Sequence, residues 1–241
     1  MCAQKGFFHS ILRRYLRTLH YHGVRGILRE EFLARTDCHG LLLFSVALFT
    51  SKIVEMEVTK LFSMSSLLEQ IPLDLQETIC GFDIDGTLIE PCPCDLRKRV
   101  PVEDITKNVM LEIAKRGGSI ILITARVPGT RTWEELNEAG FGFLFESQFR
   151  PIVFLNHIIS STEFGDVEYR DGVLFASNMN KGLALTSLLD STSANIIKPR
   201  SVIYVDDAIS EATNICREMT EKGIPNKVFR YMAPDREHFE Y

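Results

Sequence analysis

Between residues 77 and 230 short apolar runs alternate with stretches of helical spacing, and a turn signal separates one from the next. Residues 77–84 (ETICGFDI) read as a buried strand that ends at the Asp85-Gly86 turn. Residues 102–116 carry Ile105, Val109, Leu111 and Ile113 with helical spacing, and Gly117-Gly118 closes that helix. Further strands are expected over 119–123 (SIILI), 172–176 (GVLFA), 201–205 (SVIYV) and 226–230, with helices over 133–139, 181–189 and 210–222. Strands that are apolar throughout and alternate with helices imply a parallel sheet covered on both faces. The expected fold class is a doubly wound, three-layer α/β domain of Rossmann-like type, whose ligands bind outside the carboxyl ends of the strands.

Two segments break this rhythm. Within 141–171, RPIVFL and DVEYR are patterned to form an antiparallel hairpin around the Ser160-Ser161 and Gly165-Asp166 turns. Residues 90–101 hold three prolines and Arg97-Lys98-Arg99 and read as a surface loop. Either segment could overhang the strand ends and select a ligand, because loops on a rigid scaffold often carry binding residues.

Composition adds a division of the chain. With 241 residues, 45% hydrophobic and 24% charged, it can bury a sizeable core, which excludes disordered, fibrous and disulfide-stapled classes. The net charge of -5 is uneven: residues 1–52 carry eight Lys/Arg against three Asp/Glu, whereas 53–241 carry 19 against 29. Residues 1–29 contain six basic and no acidic residues, with Phe7, Phe8, Ile11, Leu12, Tyr15, Leu16 and Leu19 at helical spacing. An uncharged run of eleven residues, 40–50 (GLLLFSVALFT), follows. It is too short to span a bilayer and has the length of a signal-peptide core. Residues 1–52 therefore read first as a targeting segment for a secreted or periplasmic protein, in transient contact with membrane or translocon. A membrane-surface anchor, a mitochondrial presequence and an ordinary helix in a cytoplasmic protein are the alternatives. Nothing in the chain matches a nucleic-acid-binding fold, and the acidic remainder argues against a nucleic-acid partner. Six cysteines favour free thiols, with a Cys92–Cys94 bridge left open by the oxidising compartments such a segment would imply.

The strand ends carry the candidate chemistry. The first ends in Asp83-Ile84-Asp85-Gly86-Thr87, two carboxylates that can share one site. The second ends in Thr124, a hydroxyl suited to a phosphate oxygen, followed by Ala125 and Arg126. Lys181 opens the helix after the third strand, where a cation and a helix N-terminus both favour an anion. The fourth ends in Asp206-Asp207, hard oxygen ligands that suit Mg²⁺. Each has a bland alternative: a turn, a strand cap, a solvated lysine, a helix N-cap. Four such features at four strand ends favour one shared site.

FDIDGTL, ILITAR, NKG and YVDD, in that order between Phe82 and Asp207, resemble the four motifs of the haloacid dehalogenase superfamily of phosphotransferases. FDIDGTLIEP, GVLFASNMNKGLAL and YVDDAISEAT further resemble an uncharacterised bacterial family of such proteins, often carrying signal peptides. The resemblance implies strand order 5-4-1-2-3, Asp83 as a nucleophile that forms an aspartyl-phosphate, and Asp85 as general acid/base. It implies that Thr124, Ala125 and Lys181 hold the phosphoryl group, and that Asp83, the Asp85 carbonyl, Asp206 and Asp207 organise Mg²⁺. Arg126 is a substrate-contact candidate. No long insert follows the first motif, so a minimal cap or none is expected over residues 53–241. The implied activity is phosphatase on a phosphorylated substrate of unknown size; the alternative is a non-catalytic secreted interaction protein on the same fold.

Overall fold

A computed structural model describes residues 57–129, 131–146, 149, 156–162, 165–191 and 199–233. The basic helix and apolar run expected in residues 1–52, and the RPIVFL stretch, lie outside them. Among the described residues ten strands and five α-helices follow one another: β1 (Val58–Leu61), α1 (Leu67–Gln70), β2 (Thr78–Phe82), β3 (Ile89–Cys92), β4 (Asp95–Pro101), α2 (Thr106–Lys115), β5 (Ser119–Thr124), α3 (Arg131–Glu138), β6 (His157–Thr162), β7 (Gly165–Arg170), β8 (Val173–Phe175), α4 (Lys181–Asp190), β9 (Ser201–Asp206), α5 (Ile209–Glu221) and β10 (Asn226–Tyr231). Among the described residues no helix is long and apolar enough to cross a membrane.

The main sheet has eight strands in the order β1-β10-β9-β2-β5-β8-β7-β6. From β1 to β8 every neighbouring pair is parallel, while β7 runs antiparallel to β8 and to β6. This is an α/β fold with a mostly parallel central sheet flanked by helices, consistent with a Rossmann-like fold. The apolar runs fill both faces because successive side chains point to opposite sides. In β5, Ile120 and Leu122 join Val109, Met110 and Ile113 of α2 and Leu136 of α3. Ile121 and Ile123 face the other way, toward Leu185 and Leu188 of α4 and Ile215 of α5.

Each predicted strand and helix in this frame is present, with boundaries shifted by up to four residues at an end. Two segments differ. Residues 90–101 are no irregular loop: β3 and β4 form an antiparallel hairpin, with a register shift at Pro91/Cys92. Proline lacks a donor, but both strands are edges of a two-stranded sheet, where an outward-facing position needs none. Cys92, at the end of β3, and Cys94, in the turn after it, are free thiols, and Cys80 and Cys216 are free and buried. The second hairpin exists, but its first strand is His157–Thr162, which runs through the expected Ser160-Ser161 turn. It continues the main sheet at the β8 edge, where β7 takes up the backbone groups that β8 would otherwise leave open. Strand β1, outside the alternating region, docks on β10, and Glu103 accepts from Ser63 Oγ at 3.0 Å and the Met64 N–H at 2.9 Å to fasten it.

The two helices of one face approach closely at Gly182. A Cβ there would lie 2.7 Å from the Asn214 carbonyl oxygen, a backbone atom of α5 that cannot rotate away. Gly182→Ala should therefore destabilise the fold by about 1–3 kcal/mol through overpacking, despite the better helix propensity of alanine. Urea unfolding checks this; an unchanged or raised midpoint contradicts the close contact.

Candidate functional site

Strand β2 lies between β5 and β9, so its end is flanked by theirs. Phe82 is in register with Leu122 and with Val205, and the Asp83 N–H continues the ladder by donating to the Val205 carbonyl at 3.0 Å. Asp83 thus sits beside Asp206 on one side and within a residue step of Thr124 on the other. Past Asp83 the chain coils once: the N–H groups of Leu88 and Ile89 both donate to the Ile84 carbonyl at 3.0 Å before β3 begins. That turn leaves Asp83 and Thr87 buried and Asp85 exposed.

The sequence-predicted groups separate into a buried centre and a half-open wall. In the centre, the Lys181 ammonium donates to Asp83 Oδ1 at 2.5 Å and to Asp206 Oδ2 at 2.8 Å. Asp206, fully buried, also accepts from Tyr204 Oη at 2.6 Å and the Ala208 N–H at 2.8 Å. Lys181 is the first residue of α4 but no solvated helix residue, being only 4% exposed. Asn180 caps that helix by accepting from the Leu183 N–H at 3.1 Å, which presents Lys181 at its start. Gly81 admits the Tyr204 ring, since a Cβ there would meet Tyr204 Cδ2 at 2.8 Å.

One candidate ligand oxygen from each of Asp83, Asp206 and Asp207 lies within 4.8 Å of the others, an arrangement that could hold a metal ion. The Asp207 N–H donates to Thr87 Oγ1 at 3.0 Å, tying its backbone to the turn after Asp83. Burial pushes the Asp83 carboxyl up, Lys181 works against this and Asp206 adds to it, with the result at about 7. Burial alone would lower Lys181, but Asp83 and Asp206 outweigh it and raise its pKa. Three carboxylates around one ammonium leave an excess of negative charge, and all the donors are hard oxygens. That set fits a divalent cation such as Mg²⁺.

On the wall, Arg126 grips Asp85 with two donors, Nε to Oδ2 at 2.7 Å and Nη2 to Oδ1 at 2.5 Å. Its remaining Nη1 makes an ion pair with Glu135 Oε2 at 2.7 Å. Thr124 is buried, and its Oγ1 accepts from the Arg126 N–H at 3.2 Å, which leaves the hydroxyl hydrogen to be given elsewhere. The loop 124–126 is pinned from behind by the β8–α4 turn: the N–H groups of Ala176, Ser177 and Asn178 donate to the carbonyls of Thr124, Arg126 and Ala125. That turn holds Ser177 and Asn178 at φ 47° and 60°, a left-handed conformation costing roughly 1–2 kcal/mol per residue, which those bonds offset.

Glu135, Tyr204 and Thr87 were not singled out for roles by sequence reasoning. Thr87 belongs to the DIDGT stretch, and Arg131 with Glu135 shows the i,i+4 spacing of an ordinary surface pair. Tyr204 carries no signal beyond a strand residue. A family model described as "Protein of unknown function (DUF2608)" matches residues 92–240, a span that includes Thr124, Glu135, Lys181, Asp206 and Asp207 and begins after Asp85. Comparison with curated proteins gives no match.

Removing the one cation of the buried centre should expose its electrostatics. Lys181→Met is expected to cost about 3–5 kcal/mol at pH 8 in EDTA, the usual penalty for leaving a buried partner charge unpaired. The Asp83 carboxyl, already raised to about 7, is then pushed higher still, because the cation that opposed the effect of burial is gone. The deficit should therefore shrink as pH falls from the variant's higher value through about 7, because Asp83 of the variant takes up a proton before that of the wild type and so loses its unpaired charge. Urea midpoints at pH 8 and pH 5 test the sign; an equal deficit at both contradicts it.

Proposed function

The chain belongs to the DUF2608 family, and we propose that it is a Mg²⁺-dependent phosphomonoester hydrolase working through an aspartyl-phosphate on a haloacid-dehalogenase-like sheet. The observation that carries this reading is the Lys181 ammonium between Asp83 and Asp206, with Asp207, Thr124 and Asp85 on the neighbouring strand ends. Within the six parallel strands, the run β10-β9-β2-β5-β8 follows the order that the resemblance implies, with β1 added outside β10, and this adds support.

Asp83, Asp206 and Asp207, with the backbone carbonyl of Asp85, would hold the ion. Bound there, it supplies positive charge against a dianionic phosphoryl group, which the site's own carboxylates would otherwise repel. Lys181, the Thr124 hydroxyl and the Ala125 backbone N–H bind phosphoryl oxygens. The ionised Asp83 carboxylate attacks phosphorus as the bond to the leaving oxygen breaks, giving an acyl phosphate on Asp83. Asp85 gives its proton to the leaving oxygen, then takes one from the water that attacks the acyl phosphate, releasing phosphate and restoring Asp83. Asp85 is suited to both steps because it is the exposed one of the pair, able to meet a leaving group and water. Arg126, beside it, faces the same substrate oxygen.

The basic and apolar makeup of residues 1–52 supports a secreted or periplasmic destination for this activity. Purified protein should release phosphate from 4-nitrophenyl phosphate with Mg²⁺ and lose this in EDTA. Asp83→Asn should lower turnover by about 10³-fold or more, as loss of a nucleophile does. Wild-type inactivity across a broad phosphomonoester panel contradicts the reading. A partner bound equally well by Asp83→Asn and without Mg²⁺ would favour a non-catalytic interaction protein instead.

A further inference from the structure

We propose that Glu135 is a positioning residue for the acid/base carboxylate Asp85 and acts on it through Arg126. The inference rests on the hydrolase reading above and goes beyond it, because Glu135 belongs to none of the four motifs.

The geometry is a relay of charged groups. Glu135, in the second turn of α3, is only 5% exposed. Besides Arg126 Nη1 at 2.7 Å, it pairs with Arg131 Nε at 2.7 Å and with Arg99 Nε of β4 at 3.5 Å. Burial pushes its carboxyl up, but the Arg126 contact, helped by Arg131 and Arg99, outweighs this and holds it below the ordinary range. A buried carboxylate of this kind is costly unless paired, so Glu135 depends on the guanidiniums around it, above all on the less exposed Arg126 and Arg99. Guanidinium donors are rigidly coplanar. Holding the Nη1 edge by the charge of Glu135, together with the Nη1 donation to Thr132 Oγ1 at 3.4 Å, therefore sets the direction of the Nε/Nη2 fork that meets both oxygens of Asp85.

Asp85 needs such a guide. Its side chain is 52% exposed, and an exposed carboxylate left to itself samples several rotamers. Arg126 confines it, and Glu135 confines Arg126. Arg99 also ties this relay to the β3–β4 hairpin, which follows Asp85 directly in the chain. The competing explanation is that Glu135 only staples β4 to α3. A staple affects folding and all substrates alike, whereas misdirecting Asp85 slows the first, phosphoryl-transfer step only where the leaving oxygen needs a proton; the later water step, common to all substrates, does not enter kcat/KM.

Leaving-group dependence separates the two. The kcat/KM values for an alkyl phosphate and for 2,4-dinitrophenyl phosphate, whose phenolate departs unprotonated, are measured with Mg²⁺ for wild type, Glu135→Gln, Arg126→Lys and the double variant, with circular-dichroism melts alongside. Glu135→Gln should slow the alkyl ester at least about tenfold more than the dinitrophenyl ester, in keeping with the cost of a misplaced catalytic group. Arg126→Lys, which keeps the charge but loses the fork, should give the same selectivity. In its background Glu135→Gln should add little, because residues acting through one another are non-additive. If Glu135→Gln does not fold, the selectivity of Arg126→Lys is compared with that of Glu135→Asp, which keeps the carboxylate but shortens its reach. Equal losses for the two esters, additive losses, or no loss in an active enzyme overturn the positioning role alone. Wild-type inactivity on both esters overturns the hydrolase reading and this inference with it.

Discussion

One ammonium group holds the centre of this molecule together. Lys181 sits between two buried carboxylates, Asp83 from the end of β2 and Asp206 from the end of β9, at 2.5 and 2.8 Å. Neither carboxylate could be buried in ionised form without it, because desolvation of an unpaired charge costs several kcal/mol. The pairing also constrains the fold: α4 must begin where its first residue reaches two adjacent strand ends. Gly182, the next residue, then fits the close approach of α5, and Asn180 before it caps the helix. The short NKG stretch thus combines a cap, a cation and a packing contact.

Around that centre the polar groups are graded by exposure. Asp206 and Thr87 are fully buried and Thr124 nearly so, whereas Asp85 stands more than half open. On the proposed hydrolase reading, this grading gives a nucleophile held in place by a cation and an acid/base group in reach of solvent. The wall carrying Asp85 is held by charge pairs between side chains from β4, the loop after β5, and α3. Of these pairs Arg126–Asp85 is the one open to solvent on the carboxylate side and holds less firmly than the others, so Asp85 is where a ligand can most easily change the arrangement.

Much of the frame was legible because a parallel sheet covered on both faces requires continuous apolar runs, and SIILI and SVIYV are such runs. The candidate site was legible for the same reason: a strand buried on both faces can turn polar only where it ends. Asp83, Thr124 and Asp206-Asp207 mark those ends, and each lies at the carboxyl edge of its strand. The hairpin β3–β4 was hidden because its prolines read as breakers, although edge strands admit them. The first strand of the other hairpin was misplaced because the apolar RPIVFL outweighed the polar HIISST, and an edge strand of an antiparallel pair has no need to be apolar throughout.

The sequence by itself determined the α/β class, the parallel strands and the residue types at their ends, since periodicity and polar punctuation are local properties of the chain. Tertiary structure alone decided which of those residues meet. That Lys181 is buried between Asp83 and Asp206, that Tyr204 turns its hydroxyl to Asp206, and that Glu135 gathers Arg99, Arg126 and Arg131 could not be read from spacing. These pairs, Arg131 with Glu135 apart, join segments distant in sequence or strand neighbours whose contact depends on burial. A lysine at a helix start or a glutamate at i,i+4 from an arginine looks the same along the chain whether solvent or a carboxylate awaits it. Charge pairing across the sheet edge, with the desolvation that accompanies it, is fixed only when the strands have been ordered.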